Sequence, residues 1–124
     1  MTKLSENFDS EEFKCKCCGK LPEGGMNQKL IDLLQAIREK LGKSISITSG
    51  YRCPKHNAEL DGAAKHSQHM EGTAADITVA GMAASEVHDY LASHFNQRCK
   101  GLGKYPNWTH VDVRSGDFAR WTGK

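Results

Sequence analysis

Ser67-Gln68-His69-Met70-Glu71-Gly72-Thr73-Ala74-Ala75-Asp76, followed further along by His110-Val111-Asp112, gathers imidazoles and carboxylates in a stretch without sustained hydrophobic period. His69 and Asp76 are seven positions apart, too far for adjacent turns of one helix and poorly matched to one flat strand. A loop entering a strand brings both side chains to one point, and Gly72 gives the backbone freedom to turn there. His110, sent from a separate strand, then supplies a third ligand. Imidazole nitrogens at about 2.0 Å and a carboxylate oxygen at about 2.0–2.2 Å suit Zn²⁺, with water in the fourth place. That open place separates a hydrolytic metal from a structural one. Bound zinc lowers the pKa of its water toward about 7 and polarises a carbonyl it touches. The plainer reading stands beside this one. Six histidines occur here, and any one alone is more often a surface or hydrogen-bonding residue. Asp76 alone serves equally as the cap of a strand.

Outward from this stretch, hydrophobic spacing gives the elements. Leu30, Ile31, Leu33, Leu34, Ile37 and Leu41 repeat on one side of residues 28–41, with Asn27 as N-cap and Gly42 as terminator. Ile45, Ile47 and Ser49 alternate with Ser44, Ser46 and Thr48, which predicts a strand ending at Gly50. Asp76 to Val79 reads as a second strand. Ser85 is the expected N-cap of a helix over 86–96, with Val87, Leu91 and Phe95 on one face. Residues 101–105, 109–113 and 118–121 supply further short strands. Residues 5–20 form an N-terminal strap anchored by Phe8 and Phe13, joined by a turn-rich connection over 19–27. The fold class is α+β, a small antiparallel or mixed sheet packed against two main helices. The expected organisation is one domain over 1–124, with residues 1–26 as strap and 27–121 as core. The polar run from Arg52 to Ala75 is unusually long for a loop in a small domain unless it serves a site.

Seventeen Lys plus Arg against fifteen Asp plus Glu give a net charge of +2, too small an excess to imply nucleic acid. No apolar run approaches the roughly 20 residues needed to span a bilayer. Residues 1–8 contain no apolar signal-peptide region. The expectation is synthesis in the cytoplasm as a monomer, without membrane insertion, and delivery outward by phage-type release or host lysis. Five cysteines are many for 124 residues: Cys15, Cys17, Cys18, Cys53 and Cys99. Reduced thiols are the default without a signal peptide. A second metal site from Cys15, Cys17 or Cys18 with Cys53 or Cys99 is one reading, and its Cys-x-Cys-Cys spacing departs from paired Cys-x₂₋₄-Cys motifs. A Cys53–Cys99 disulfide is another.

Several motifs, in order, cover nearly the whole chain: Ser49-Gly50-Tyr51-Arg52, Asn57, Ser67-x-His69-x₂-Gly72-x-Ala74-Ala75-Asp76, Gly101-Leu102-Gly103-x-Tyr105 and His110-Val111-Asp112-Val113-Arg114. They resemble the zinc D-Ala-D-Ala carboxypeptidase and L,D-endopeptidase family (peptidase M15-like) of bacteria and phages, which shares its metal-binding fold with Hedgehog domains. Phe8 to Gly19 and Phe118-Ala119-Arg120-Trp121 resemble the flanks of small phage-type members. The resemblance implies a Zn²⁺ cofactor held by His69, Asp76 and His110. It also implies hydrolysis of peptidoglycan stem peptides, of the kind performed by a phage endolysin. It further implies that Arg52 binds substrate or steadies the attacked carbonyl, a role suited to a planar fork of donors. Ser67 would hydrogen-bond a ligand from behind. The plainer role for Arg52 is a structural salt bridge.

The chain departs from that family at the proton-transfer residue. Better-known members carry an acid or histidine two or three positions before the third ligand, where this chain has Trp108 and Asn107. Asp112 is the nearest carboxylate, two residues past His110 and so on the same strand face. It either serves the bound water or holds the second nitrogen of a ligand histidine, and the second role is preferred. His66 is a further candidate base. Tyr105 and Trp108 are expected to line the substrate cleft, or to cover the sheet. Trp121 is expected in core or edge packing. The rival reading is a catalytically weakened zinc module that binds cell wall or builds a phage particle. A third is a structural protein organised by its cysteines.

Overall fold

The computed structural model describes residues 3–16, 18–22, 24–53 and 68–123. The motif residues Asn57 and Ser67, the candidate base His66 and Cys17 lie outside them.

The strap opens with two short strands, β1 (Lys3–Ser5) and β2 (Phe8–Asp9), paired antiparallel. A 3₁₀ turn, Ser10–Phe13, follows because Asp9 closes its start. The Asp9 carboxylate accepts from Glu11 N–H at 3.0 Å, and Asp9 N–H donates to Glu12 at 2.9 Å. Phe8 and Phe13 are buried, as anchors of the strap should be.

Helix α1 (Gln28–Leu41) has the expected bounds. Asn27 accepts from Lys29 N–H at 2.8 Å, and Gly42 N–H returns to Arg38 O at 3.0 Å. Its buried face is Leu30, Ile31, Leu33, Leu34 and Ile37. Burying each such side chain contributes roughly 1.5–3 kcal/mol. Helix α2 (Ala84–His94) starts earlier than the sequence suggests. Ser85 is not its cap: Ala83 N–H is bonded to the Glu86 carboxylate at 2.8 Å, so the chain turns helical before Ser85.

The main sheet holds β3 (Ile45–Ser49), β4 (Ala74–Val79), β5 (Gly101–Lys104), β6 (Thr109–Asp112) and β7 (Ala119–Thr122). Its order is β3-β4-β6-β5-β7, antiparallel except for the parallel β5–β7 pair, which makes it mixed. β4 begins two residues before the expected Asp76, because Ala74 and Ala75 pair with Asp112 and Val111. Ala75, Ile77, Leu102 and Val111 point into the core, where Val87, Leu91 and Phe95 of α2 also pack. Alternation then sends Asp76, His110, Asp112 and Trp121 to the opposite face. The fold is α+β, with two α-helices and a mixed sheet among the described residues. No helix in them is long and apolar enough to cross a membrane.

Candidate metal centre

Asp76 and His110 are direct cross-strand partners in β4 and β6, so their side chains leave the sheet side by side. His69 arrives from outside the sheet, on a 3₁₀ turn, Gln68–Glu71. Gly72, at φ +73°, reverses the chain between that turn and β4. The β3–β4 register shifts between Ile47 and Ser49, which sets Ser49 opposite Asp76.

Asp76 Oδ1 lies 3.2 Å from His69 Nε2 and 3.1 Å from His110 Nδ1. One donor atom from each residue falls within 4.8 Å of the others, and all three residues are buried. The hydrogen bonds behind them fix the ring nitrogens. A carbonyl only accepts, so the 2.8 Å contact with Gly50 O puts a proton on His69 Nδ1, and in the neutral ring Nε2 then carries the lone pair. His110 Nε2 faces Asp112 Oδ2 at 2.7 Å, and in the neutral ring it donates there. The Nδ1 lone pair of His110 then also faces Asp76. With both rings neutral, three acceptors converge, a disposition that a cation or added protons must reconcile. Two imidazoles and one carboxylate form a donor set that zinc takes. The residues therefore fit such an ion.

The charges follow the contacts. Where added protons rather than a cation reconcile the three, burial works to raise the Asp76 carboxyl, but hydrogen bonds from His110 and His69 outweigh it and hold Asp76 well below the usual carboxylate range. Burial likewise opposes ionisation of Asp112, and bonds from His110 and Arg114 reverse that. Burial would depress His110, yet the Asp112 and Asp76 carboxylates on its two nitrogens lift it above its ordinary value.

The residues matched to a protein family are 6–112, and the family is described as Peptidase M15. The chain belongs to the peptidase M15 family. It is 34% identical over 98 residues to the peptidoglycan L,D-endopeptidase MepK of Escherichia coli (strain K12), and to that of Shigella flexneri, covering 74% of this chain and 52% of those proteins. The probable peptidoglycan L,D-endopeptidase MepK of Haemophilus influenzae is 30% identical over 105 residues, covering 79% of this chain and 55% of that protein. This M15 chain thus spans about half the length of the curated relatives it matches.

Around the centre, Arg52 donates from Nη2 to Asp76 Oδ2 at 3.1 Å and from Nε to Ser49 Oγ at 3.1 Å. It holds the carboxylate oxygen that the histidines leave over, which is the salt bridge considered as its plainer role. Asp112 is fully buried, and both its oxygens are engaged. Arg114 grips them through Nε and Nη2, the latter at 2.8 Å, while Arg114 N–H adds a bond of 3.1 Å. Tyr105 and Trp108 stack at 4.9 Å between ring centroids, and both are half-buried.

Two contributors escaped the sequence reading. Trp121 was expected in packing alone, but its ring is 4.9 Å from that of His110, with its Nε1 donating to Tyr105 OH at 2.8 Å. Arg114, expected with the other Lys and Arg outside Arg52 to be solvated surface, instead lies just past the end of β6 and pairs with buried Asp112. The glycines of Gly101-Leu102-Gly103 make room for these neighbours. A Cβ on Gly101 would meet the Asp112 carboxylate at 2.0 Å, and one on Gly103 the Trp121 ring at 2.6 Å. Cys99 is a core thiol pushed up to about 12 by burial, and it forms no bridge with Cys53.

Proposed function

We propose that this M15 chain hydrolyses peptide bonds in peptidoglycan stem peptides, with Zn²⁺ held by His69, Asp76 and His110. The observation that carries the proposal is the convergence of two imidazole nitrogens and one carboxylate oxygen within 4.8 Å. The family and the naming of the relatives as peptidoglycan L,D-endopeptidases support the substrate class, and favour an internal L,D bond over release of a terminal D-Ala.

Zinc bound here supplies Lewis acidity toward a carbonyl and an activated water. The protein's own groups supply position and charge. Asp76 Oδ1 is turned to the centre because Arg52 holds Oδ2. Arg52 has N–H groups beyond those two bonds, suited to a substrate carboxylate or a developing oxyanion. Asp112 keeps the Nε2 proton of His110 in place and so fixes which nitrogen faces the centre. With both oxygens engaged, Asp112 acts through His110 and takes no proton from substrate. Arg114 keeps Asp112 ionised, and Tyr105 with Trp108 forms an aromatic wall beside the strand that carries His110.

One observation favours a non-hydrolytic zinc module instead. Asn107 and Trp108 stand where the family places its proton-transfer acid. Digestion of purified peptidoglycan, with new termini identified by mass spectrometry, separates the two. Hydrolysis predicts new L,D termini with the zinc-loaded protein, none after chelation, and none with His110→Ala. Intact stem peptides after prolonged incubation with zinc-loaded wild type would contradict it.

A further inference from the structure

A second cluster of metal-ligating side chains lies outside the centre described above. Cys15 and Cys18 come from the strap, and Cys53 from the segment leaving β3 past Arg52. Their three sulfurs fall within 4.8 Å of one another. A tetrahedral zinc ion with Zn–S bonds of about 2.3 Å holds sulfurs about 3.8 Å apart, so closing the cluster on an ion needs movements of about 1 Å or less.

The backbone around the cluster is arranged as thiolate ligands require. Cys15-Lys16-Cys17-Cys18 contains a Cys-x₂-Cys spacing that is easily missed because Cys17 interrupts it. Gly19, at φ +69°, turns the chain straight after Cys18, and its N–H returns to Cys15 O at 2.7 Å. Two backbone N–H groups point at sulfur: Cys53 N–H at Cys15 Sγ, 3.4 Å away, and Lys20 N–H at Cys18. Such bonds orient the ligand. At Cys18 the Lys20 N–H works to lower the thiol, while desolvation and the neighbouring Cys15 and Cys53 sulfurs outweigh it and raise it, a crowding of sulfurs that a cation relieves.

We propose that Cys15, Cys18 and Cys53 supply three ligands of a second Zn²⁺, which clips the strap to the Arg52 segment. Soft thiolates select a thiophilic ion such as zinc over magnesium or calcium. The clip acts on a segment already fastened on both sides. Tyr51 N–H donates to Phe13 O of the strap at 2.9 Å, and Arg52 N–H donates to His69 O at 3.1 Å. A metal at Cys53 therefore fixes the residue next to Arg52 and, through it, the partner of Asp76. It positions the hydrolytic centre without touching substrate.

The test is zinc content of the full chain, purified without chelator, together with cobalt substitution. Cys18 is exposed, so Cys18→Ser should fold; Cys53→Ser, at a half-buried position, is the second variant. The expected wild-type result is two zinc ions per chain and a near-ultraviolet sulfur-to-cobalt charge-transfer band. Either cysteine variant should lose one ion and that band, whereas His69→Ala should lose the other ion and keep the band. A wild type without the band, or a Cys18→Ser protein with full zinc content, would overturn the proposal. So would a disulfide among the three cysteines in the non-reduced protein. Loss of zinc only in His69→Ala would leave the peptidase reading standing while removing this one.

Discussion

At the residue scale the centre depends on which nitrogen each histidine presents. For His69 a backbone carbonyl decides it, and for His110 the buried carboxylate of Asp112 does. Asp112→Asn removes that charge and also leaves Arg114 without its ionic partner. The account predicts a loss of zinc affinity of about 10–100-fold, the usual effect of deleting a group that orients a ligand. Competition with a chromogenic chelator measures it, and unchanged affinity would remove Asp112 from the centre. The pair His110 and Asp112 was legible in the sequence because residues two apart on a strand share a face. The contact of Trp121 with His110 was not. It arises because β7 joins the sheet beside β5, and nothing local to residues 118–121 encodes that neighbour.

At the element scale, α1 was readable to the residue because its apolar period, its asparagine cap and its terminating glycine agree. α2 was not, since a glutamate three residues in, reaching back to Ala83, overrides the serine that resembles a cap. Of the β5 glycines only Gly103 was legible as a backbone device, and only register shows what it and Gly101 accommodate. Gly101 sits opposite Asp112, and Gly103 lies between His110 and Trp121. The two alanine variants should therefore fail differently. Gly103→Ala pushes on the Trp121 ring and should cost about 1–3 kcal/mol of stability, as overpacking does, with zinc binding largely kept. Gly101→Ala drives the Asp112 carboxylate off His110 and should weaken zinc binding as well. Thermal melts and zinc titrations on both variants check this; equal zinc affinity in the two would refute the distinction.

At the scale of the whole molecule, the centre joins β4, β6 and the turn before β4, so charge and metal at this point bear on stability. His110 is held above its ordinary 6.5, so its contribution is complete below that value and is lost as pH rises through the folded value. Asp76 and Asp112 are held below their ordinary 3.8, so their contribution is present above it and is lost as pH falls through the folded values. Metal-free protein should thus be most stable between these ranges and weaken toward the alkaline side. Zinc reverses the alkaline trend, because it needs an unprotonated His110 and binds better as pH rises. At 100 times its dissociation constant the ion adds about 2.7 kcal/mol. Melting temperatures of chelated and zinc-loaded protein between about pH 5 and 9 should diverge as pH increases. Parallel curves would count against the assignment.

The most direct measurement is anomalous diffraction at the zinc edge from crystals of zinc-loaded protein. The account predicts a peak bounded by His69 Nε2, Asp76 Oδ1 and His110 Nδ1, with solvent on its remaining side. No peak among these atoms, or a fourth protein ligand closing that side, would contradict it.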